Sequence, residues 1–410
     1  MGILSGTRVI ELADWVAGPF CSSVLSDFGA EVIRIDLPGQ VVNTRRLHGM
    51  EPIDDERSPF FATFAHDKKS LTLDVRTERG RTLFLELIAR SDVLITGFRP
   101  GAMAGWNLGA DVLEAANPGL ITLNISGYGQ TGPWREKPGL DRVAQAFSSA
   151  TYITGHADGP PVKSGVGFVD FATGLWGIVG ILLALIERQG SGLGQSIDQS
   201  LYESALPLLC EVPLKYHRYH EIAERLGNRV KGVSPGDTFL TADQRWIQIS
   251  ASGDTQFERL AAAIGQPELL TDPRFTTMPL RDEHNAELIA VIAQWVAAHT
   301  AQEVEDLLES HGVAAGRVQN IEELMAHPQV VAREDFITID DDVFGELLLP
   351  NVLPRLARTP GRIERPGPRL GEHTEEILGG LLDVPDEEIK TLRQSGVVGP
   401  RKKTRRRNAP

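Results

Sequence analysis

Asp170 is the residue of this chain whose type and position most strongly suggest chemistry. It closes the run VGFVD and stands directly before a strongly apolar stretch, residues 171–189, whose composition predicts a buried helix. The unpaired N–H groups and positive dipole end of a helix N-terminus favour an ionised carboxylate and any oxyanion formed beside it. Asp is also a common N-cap residue. By itself, Asp170 therefore fits either a catalytic nucleophile or a simple cap.

Two glycine-rich stretches precede Asp170 and favour the chemical role. They read SGYGQTGP at 126–133 and GPPVKSGVG at 159–167. Glycine lets a backbone approach a ligand closely, although SGYGQTGP alone would also fit an ordinary turn.

Other kinds of site have little support in the sequence. We find no GxSxG elbow, no GxxxxGK[ST] loop and no GxGxxG after the first predicted strand. His217 and His220 lie three residues apart, but no complete zinc ligand set accompanies them. We therefore expect no metal, nicotinamide or flavin.

The elements that must position Asp170 belong to an ordinary globular protein. The 410 residues are 41% hydrophobic and 23% charged, which excludes a disordered or fibrous chain and predicts two or three domains. The longest apolar run, residues 174–186, is shorter than a membrane helix requires, and the N-terminus lacks a secretory signal. Cys21 and Cys210 are the only cysteines. A cytoplasmic protein without a membrane partner is expected.

The net charge of −14 is unevenly distributed. Residues 401–410 carry six positive charges, so residues 1–400 sum to −20. An acidic body argues against nucleic acid as a partner. The basic tail fits a frayed, solubilising terminus, or a segment that touches phosphates or membranes.

Strands and helices alternate over the first 190 residues. Strands are predicted at 8–12, 31–37, 70–75, 92–98 and 120–129, with a helix at 77–90 among the intervening ones. This order predicts an α/β fold with a mostly parallel sheet covered on both faces. Such sheets bind ligands beyond the carboxyl ends of their strands, where DLPG, GFRPG and SGYGQTGP fall.

The middle of the chain changes character and predicts a smaller α+β domain. Two short strands, GDTFL and RWIQIS, are followed by helices at 282–300 and 302–311. Residues 345–370 are rich in Pro and Arg and are expected to form an irregular strap before a helix at 371–382. The predicted divisions are 1–200 for the first part of a large domain, 201–225 for a linker, 226–325 for the small domain, 326–400 for a return linker and the rest of the large domain, and 401–410 for the tail.

Eight segments in order, over nearly the whole chain, resemble the class III coenzyme A transferases. This group, also called the CaiB/BaiF family, includes formyl-CoA:oxalate and carnitine CoA-transferases. The matching segments are GTRVIELADWVAGPFCSSVLSDFGAEVIRID, DKKSLTLDV, GFRPGA, NPGLITLNISGYGQTGP, VAQAFSSATYITGHADGPPVKSGVGFVDFATG, GILLALIERQGSGLGQSIDQSLYES, HGVAAGRVQNIEEL and GEHTEEIL.

The resemblance implies covalent catalysis by Asp170, which matches the family's nucleophile. CoA would pass from an acyl-CoA donor to a free carboxylic acid through aspartyl anhydride and aspartyl–CoA thioester intermediates. Coenzyme A is then a substrate, and no permanently bound cofactor is implied.

The resemblance also implies where CoA binds. The matching residues are Val16, Ala17, Leu73, Asp74, Val75, Arg76, Gly97, Phe98, Arg99, Lys137, Leu140 and Asp141. Lys68 and Lys69 are further cations in matching segments. The chain departs from the family at Gly105, where an arginine is common, and at Gly97, where asparagine is common. It also has Leu37 where formyl-CoA transferases have an arginine, so formyl/oxalate specificity is not expected.

The fold implied by the resemblance is a large domain with a Rossmann-like sheet built from both chain ends, a small inserted domain and an interlocked homodimer. Two alternatives stay open: an α-methylacyl-CoA racemase and a non-catalytic acyl-CoA-binding protein. The racemase needs a histidine where this chain has Leu140. Specificity is expected from residues 128–134 and 227–237, where Arg229 or Lys231 would pair with a second substrate carboxylate.

Overall fold

The computed structural model describes residues 2–38, 45, 58–342 and 344–399. The chain forms two compact units. The large unit takes its described residues from Met1–Ser148, Ser164–Glu211 and Glu334–Pro410, and the small unit comprises Ser149–Lys163 and Val212–Arg333. The sequence-based division placed a linker at 201–225 and the small domain at 226–325, whereas the two compact units meet at 211 and 333 and residues 149–163 also enter the small unit. The predicted tail, 401–410, lies outside the described residues.

A parallel sheet of six strands forms the centre of the large unit, in the order β3-β2-β1-β4-β5-β6. Its strands are β1 (Arg8–Leu12), β2 (Glu31–Asp36), β3 (Lys69–Thr72), β4 (Val93–Thr96), β5 (Ile121–Ser126) and β6 (Ser196–Ser200). The first five confirm the predicted strands. The sequence did not reveal β6, because SIDQS holds one large apolar residue and lies at the sheet edge.

Side chains that alternate along the strands build a hydrophobic core on each face of the sheet. On β1, Val9 packs into one cluster and Ile10 into the other, and both are fully buried. The period of two is the strand's own geometry, and burial on both faces is typical of parallel sheets.

Helices cover both faces. Those before the small unit are α1 (Ala17–Asp27), α2 (Pro59–Ala65), α3 (Glu78–Ile88), α4 (Ala102–Gly105), α5 (Ala110–Ala116), α6 (Asp141–Phe147), α7 (Phe168–Ser191) and α8 (Leu201–Ala205), with a 3₁₀ turn at Leu206–Leu209. α3 shares its cluster with Ile377, Leu378 and Val398 from the C-terminal part of the chain. Both chain ends thus enter the large unit, but all six strands come from residues 8–200.

The small unit joins a three-stranded antiparallel sheet to helices around its own core. Its strands pair in the order β7 (Gly236–Leu240), β8 (Trp246–Ser250) and β9 (Ala314–Arg317), which confirms the predicted GDTFL and RWIQIS strands. Its helices are α9 (Val212–Tyr219), α10 (Asp254–Ala263), α11 (Met278–Glu283), α12 (Asn285–Val296), α13 (Ala301–Ser310), α14 (Ile321–Ala326) and α15 (Pro328–Ala332), with a 3₁₀ turn at Pro267–Leu270.

The return segment of the large unit holds more regular structure than expected. β10 (Phe336–Asp341) and β11 (Gly345–Pro350) pair as an antiparallel hairpin, so the expectation of an irregular strap over 345–370 is wrong for its first six residues. The terminal helix is a π-helical segment at Glu376–Leu381, followed by α16 (Asp386–Ser395).

Helix α7 is longer than the predicted apolar helix at 171–189. It spans 24 residues, and its most apolar 18-residue window has a mean hydropathy of 2.1, so by length and composition it could cross a membrane. One side packs on the sheet and α1, where Ile181 is fully buried. The opposite side exposes an apolar stripe made of Leu175, Trp176, Val179, Leu182, Leu183 and Ile186.

Candidate functional site

Asp170 is the third residue of α7, inside the first helical turn. The sequence placed it ahead of the helix, which is wrong because the helix already begins at Phe168, after the N-cap Gly167. The carboxylate still lies at the N-terminal end, where the helix dipole favours negative charge.

Asp141, the first residue of α6, supplies the cap of α7. Its Oδ2 accepts hydrogen bonds from the backbone N–H of Val169 at 3.0 Å and of Asp170 at 3.2 Å. Gln145 Nε2 donates to the other oxygen, Asp141 Oδ1, at 2.6 Å. A Cβ on Gly167 would lie 3.4 Å from this carboxylate, so the glycine leaves room for it. Asp170 is therefore not the cap, and its interpretation as a simple N-cap is wrong.

The surroundings of Asp170 disfavour its ionised form. Burial of the side chain, and then the negative charge of Asp141, raise the pKa of Asp170 to about 7. The neighbouring Phe171 ring packs against the rings of Phe20 and Phe64, with centroids 5.1 and 6.1 Å away. A carboxyl group with its pKa in this range, partly removed from water, has properties common at catalytic positions.

The first turn of α1 lies directly against the first turns of α7. A Cβ on Gly174 would stand 2.6 Å from Phe20 Cδ1 and 2.9 Å from the carbonyl oxygen of Ala17. Only glycine permits this approach. It brings Val16 and Ala17, two predicted CoA contacts, to the same end of the unit as Asp170.

The sheet changes direction between β1 and β4, which are neighbours although two strands separate them in sequence. The loops that follow these strands touch, since a Cβ on Gly97 would lie 3.3 Å from the Ala13 Cβ. Ligands of open α/β sheets bind at such a switch point. The glycine that departs from the family pattern thus serves loop packing.

The predicted contacts Phe98 and Arg99 line a cavity of about 460 Å³ that runs along β5, from Gln130 beyond its carboxyl end to Pro118 ahead of its amino end. Thr96, Asn124 and Gln130 add polar groups to its wall. The cavity combines apolar surface, amide groups and one guanidinium, which suits part of a nucleotide-bearing ligand.

Leu73–Arg76, the predicted contacts after β3, have other roles for their side chains. Leu73 and Val75 are fully buried in the core. The Arg76 guanidinium is paired with Asp74, with Nε–Oδ1 and Nη2–Oδ2 distances of 2.7 and 2.8 Å. Contact between these residues and CoA stays a prediction; through Leu73 and Val75 it would involve the backbone, while Arg76 keeps Nη1 donors that Asp74 does not use.

Lys137 lies beside an aromatic cluster at the carboxyl ends of β5 and β6. Lys137 Nζ stands 3.3 Å from the ring centroid of Trp134. The cluster is formed by Tyr128, Trp134, Phe147 and Tyr202, with neighbouring ring centroids 4.9–6.1 Å apart. Tyr128 and Trp134 are the two ends of the predicted specificity segment, 128–134. Leu140 is half exposed and carries no group that transfers a proton.

Several cations named from the sequence are engaged within their own unit. Lys68 Nζ is buried against Glu11, and Lys69 Nζ bridges Glu31 and Glu376 at 2.6 and 2.7 Å. In the small unit, Arg229 pairs with Asp282 at 2.7 Å and Lys231 with Glu221 at 2.7 Å. Both side chains are partly exposed and keep N–H donors beyond these pairs, so recognition of a second substrate carboxylate by them stays a prediction.

Asp198 on β6 is a site residue that sequence reasoning missed. Its two carboxylate oxygens accept from the backbone N–H of Gln130 at 3.1 and 2.9 Å. Ser126 Oγ accepts from the N–H of Gly129, whose φ is +87°. Together they fix the SGYGQTGP loop. Because SIDQS holds one large apolar residue, no alternation of apolar residues could have revealed this position from the sequence.

Among the described residues, no three His, Cys, Asp or Glu side chains are arranged to hold a metal ion. His217 lies near the end of α9, and His220 follows it with a positive φ of 55°.

Comparison with known proteins identifies relatives along nearly the whole chain. The model of CoA-transferase family III matches residues 4–374. Succinyl-CoA–D-citramalate CoA-transferase of Chloroflexus aurantiacus is 40% identical over 395 residues, covering 96% of this chain and 98% of that protein. Human succinyl-CoA:glutarate CoA-transferase is 31% identical over 395 residues, covering 96% and 90%. The crystal structure of a CaiB/BaiF family protein from Brucella suis superposes with a TM-score of 0.82 at 32% identity, covering 93% of this chain and 99% of that chain.

Proposed function

The chain belongs to CoA-transferase family III and is an acyl-CoA:carboxylate CoA-transferase; we propose that Asp170 is its covalent nucleophile. The observation that carries the proposal is the position of the Asp170 carboxylate, partly buried in the first turn of a helix capped by another residue, Asp141. A carboxylate freed from capping is available to attack.

In the first half-reaction, the Asp170 carboxylate attacks the thioester carbonyl of the acyl-CoA donor. A C–O bond forms, the C–S bond breaks, and CoA leaves as the thiolate, which yields a mixed anhydride. The thiolate then attacks the aspartyl carbonyl and expels the donor acid as its carboxylate. The enzyme now holds CoA as an aspartyl thioester.

In the second half-reaction, the acceptor carboxylate attacks this thioester and releases the CoA thiolate, which gives a new anhydride. The thiolate attacks the acyl carbon of the acceptor, and Asp170 leaves as the carboxylate it was at the start. The anhydride and thioester intermediates are not hydrolysed as long as the site excludes water. The apolar rings of Phe20, Phe64 and Phe171 beside Asp170 support that exclusion.

CoA occupies the carboxyl edge of the sheet around the switch point between β1 and β4. The proposal is supported by the loop contact between Gly97 and Ala13, by Arg99 at the adjacent cavity and by the backbone of Val16 and Ala17. Coenzyme A enters as a substrate, and the reaction requires no other bound cofactor.

The donor is the CoA thioester of a small dicarboxylic acid, and the acceptor is a second dicarboxylic or hydroxydicarboxylic acid. Relatives named for D-citramalate, L-malate and glutarate, each with a succinyl or succinate partner, support this substrate class.

Trapping of the intermediate tests the role of Asp170. The protein is incubated with succinyl-CoA, quenched with hydroxylamine and digested, and we expect a hydroxamate on Asp170 by mass spectrometry. New acyl-CoA is measured with malate, citramalate, glutarate and acetate as acceptors. Asp170→Asn should lower transfer at least about 1000-fold, while Asp111→Asn, in the exposed first turn of α5, should retain it. Transfer that persists in Asp170→Asn would refute the nucleophile, and α-proton exchange without transfer would indicate a racemase.

Two copies of the chain form an interlocked homodimer. The exposed apolar stripe of α7 supports burial against a second copy, because monomers rarely expose contiguous apolar surface of this kind. In the small unit, Leu214, Tyr216 and Tyr219 on α9 are more than half exposed. A cytoplasmic location agrees with a sequence that holds two cysteines, Cys21 and Cys210.

A further inference from the structure

A fully buried ionic group lies beneath α1 and takes no part in the chemistry proposed above. Glu11 on β1, Arg34 on β2 and Lys68 just before β3 are 0%, 2% and 3% exposed. Arg34 Nη1 donates to Glu11 Oε1 at 2.5 Å, and Lys68 Nζ donates to Glu11 Oε2 at 2.6 Å. Removing charges from water is costly, and an apolar cluster of the same volume often stabilises a fold equally well. Stability alone therefore gives little reason for the network.

Lys68 connects this group to the first turns of α1. Its ammonium donates to Ser22 Oγ at 2.8 Å and to the backbone oxygen of Pro19 at 2.9 Å, in addition to Glu11. Ser22 Oγ in turn donates to Glu11 Oε2 at 2.5 Å. An ammonium has three N–H donors. All three are used, and two of their acceptors belong to α1.

The turn held in this way is the one that packs against the helix of Asp170. Phe20, between Pro19 and Ser22, contacts Phe171, and the Ala17 carbonyl faces Gly174. Val16 and Ala17, at the start of the same turn, are proposed to contact CoA. A shift of about 1 Å in such a turn is enough to misalign reacting groups.

We propose that Glu11, Lys68 and Ser22 form a positioning network that sets the first turn of α1 against the Asp170 carboxylate. The inference rests on the proposed role of Asp170 as nucleophile. None of the three side chains contacts substrate; they act through the backbone of α1. Loss of the network should therefore slow acylation of Asp170 more than it weakens CoA binding.

Three variants separate positioning from stability. Lys68→Met leaves Glu11 with one cationic partner fewer and should lower the Tm. Adding Glu11→Gln removes the carboxylate that has lost this partner, while the Gln oxygen can still accept from Arg34, which keeps its pair with Asp36, so the double variant should recover part of that Tm. Ser22→Ala leaves every charge paired. Its matched control is Ser23→Ala, since Ser23 is also buried and, among the described residues, its hydroxyl bonds to Phe20 O of its own helix alone.

The readouts are the rate of aspartyl–CoA formation by rapid-quench mass spectrometry, the Kd of CoA and the Tm. We expect acylation about 10-fold slower or more in the double variant and about 3- to 10-fold slower in Ser22→Ala, with Kd changed less than about twofold and Ser23→Ala unaffected. Acylation at the wild-type rate in Ser22→Ala, or a rate that recovers with the Tm in the double variant, would overturn the proposal. Absence of an Asp170 adduct in the wild type would instead refute the proposed function itself.

Discussion

The backbone N–H of Asp170 donates to the carboxylate of Asp141 at 3.2 Å, so the side chain of Asp141, from α6, lies at the first turn of α7 together with that of Asp170. Asp141 consumes the N–H groups that would otherwise stabilise Asp170 as an anion. Its negative charge then adds to the effect of burial on the neighbouring carboxyl group. The pair explains how an aspartate at a helix N-terminus, where ionisation is normally favoured, keeps a raised pKa.

The first half-reaction should depend on pH through Asp170. Its pKa is raised to about 7, and only the ionised form attacks, so kcat/KM for the acyl-CoA donor should rise with pH and level off above that value. Asp141→Asn keeps a capping oxygen but removes the charge, and we expect the inflection to move to lower pH. Rates measured from pH 5 to 9 check both statements. An inflection that stays in place in Asp141→Asn would show that burial alone raises the pKa.

Stability should carry the opposite pH dependence. The folded-state pKa of Asp170 lies above the ordinary value of 3.8. Its protonated form therefore contributes folding stability that is fully present below pH 3.8 and is lost as the pH rises through about 7. Asp170→Asn cannot ionise. The Tm of Asp170→Asn minus that of the wild type should therefore become larger from pH 4 to pH 8, by an amount equivalent to roughly 1–3 kcal/mol of unfolding free energy. A constant Tm difference across this range would contradict the raised pKa.

Gly174 should be indispensable for the approach of α1 to α7. Gly174→Ala places a Cβ within 3 Å of Phe20 and of the Ala17 carbonyl, and the backbone oxygen cannot yield cheaply. We expect the free energy of unfolding to fall by about 1–3 kcal/mol and CoA transfer to become slower. Gly190→Ala is the matched control on the same helix, because its Cβ meets nothing within 4 Å, and it should be neutral or stabilising. Equal Tm values for the two variants would contradict the packing described here.

The apolar stripe of α7 should be covered in solution. Leu183 and Ile186 are 62% and 64% exposed, so Leu183→Glu with Ile186→Glu places charges in the proposed dimer interface. We expect a dimer for the wild type and a monomeric or aggregated double variant by light scattering. Asp111→Lys, in the exposed first turn of α5, changes charge away from α7 and should remain dimeric. A monomeric wild type at micromolar concentration would refute the dimer.

Local patterns in the sequence are enough to predict most strands of the large sheet and the candidate nucleophile. Apolar residues at period two revealed five strands of the large sheet, and Asp170 was distinguished by its place before a long apolar helix. Strand β6 escaped notice because an edge strand buries too little to show the pattern.

Roles that depend on residues far apart in sequence were decided by the tertiary structure alone. Asp141 caps a helix that begins 27 residues later, and no local signal says which carboxylate will reach it. Lys68 and Lys69 are adjacent and chemically identical, yet side chains next to each other at a strand point to opposite sides. One ammonium is therefore sealed against Glu11 and α1, while the other bridges two carboxylates near the surface. Burial depends on what the rest of the chain places on each side, and the sequence around a residue does not contain that information.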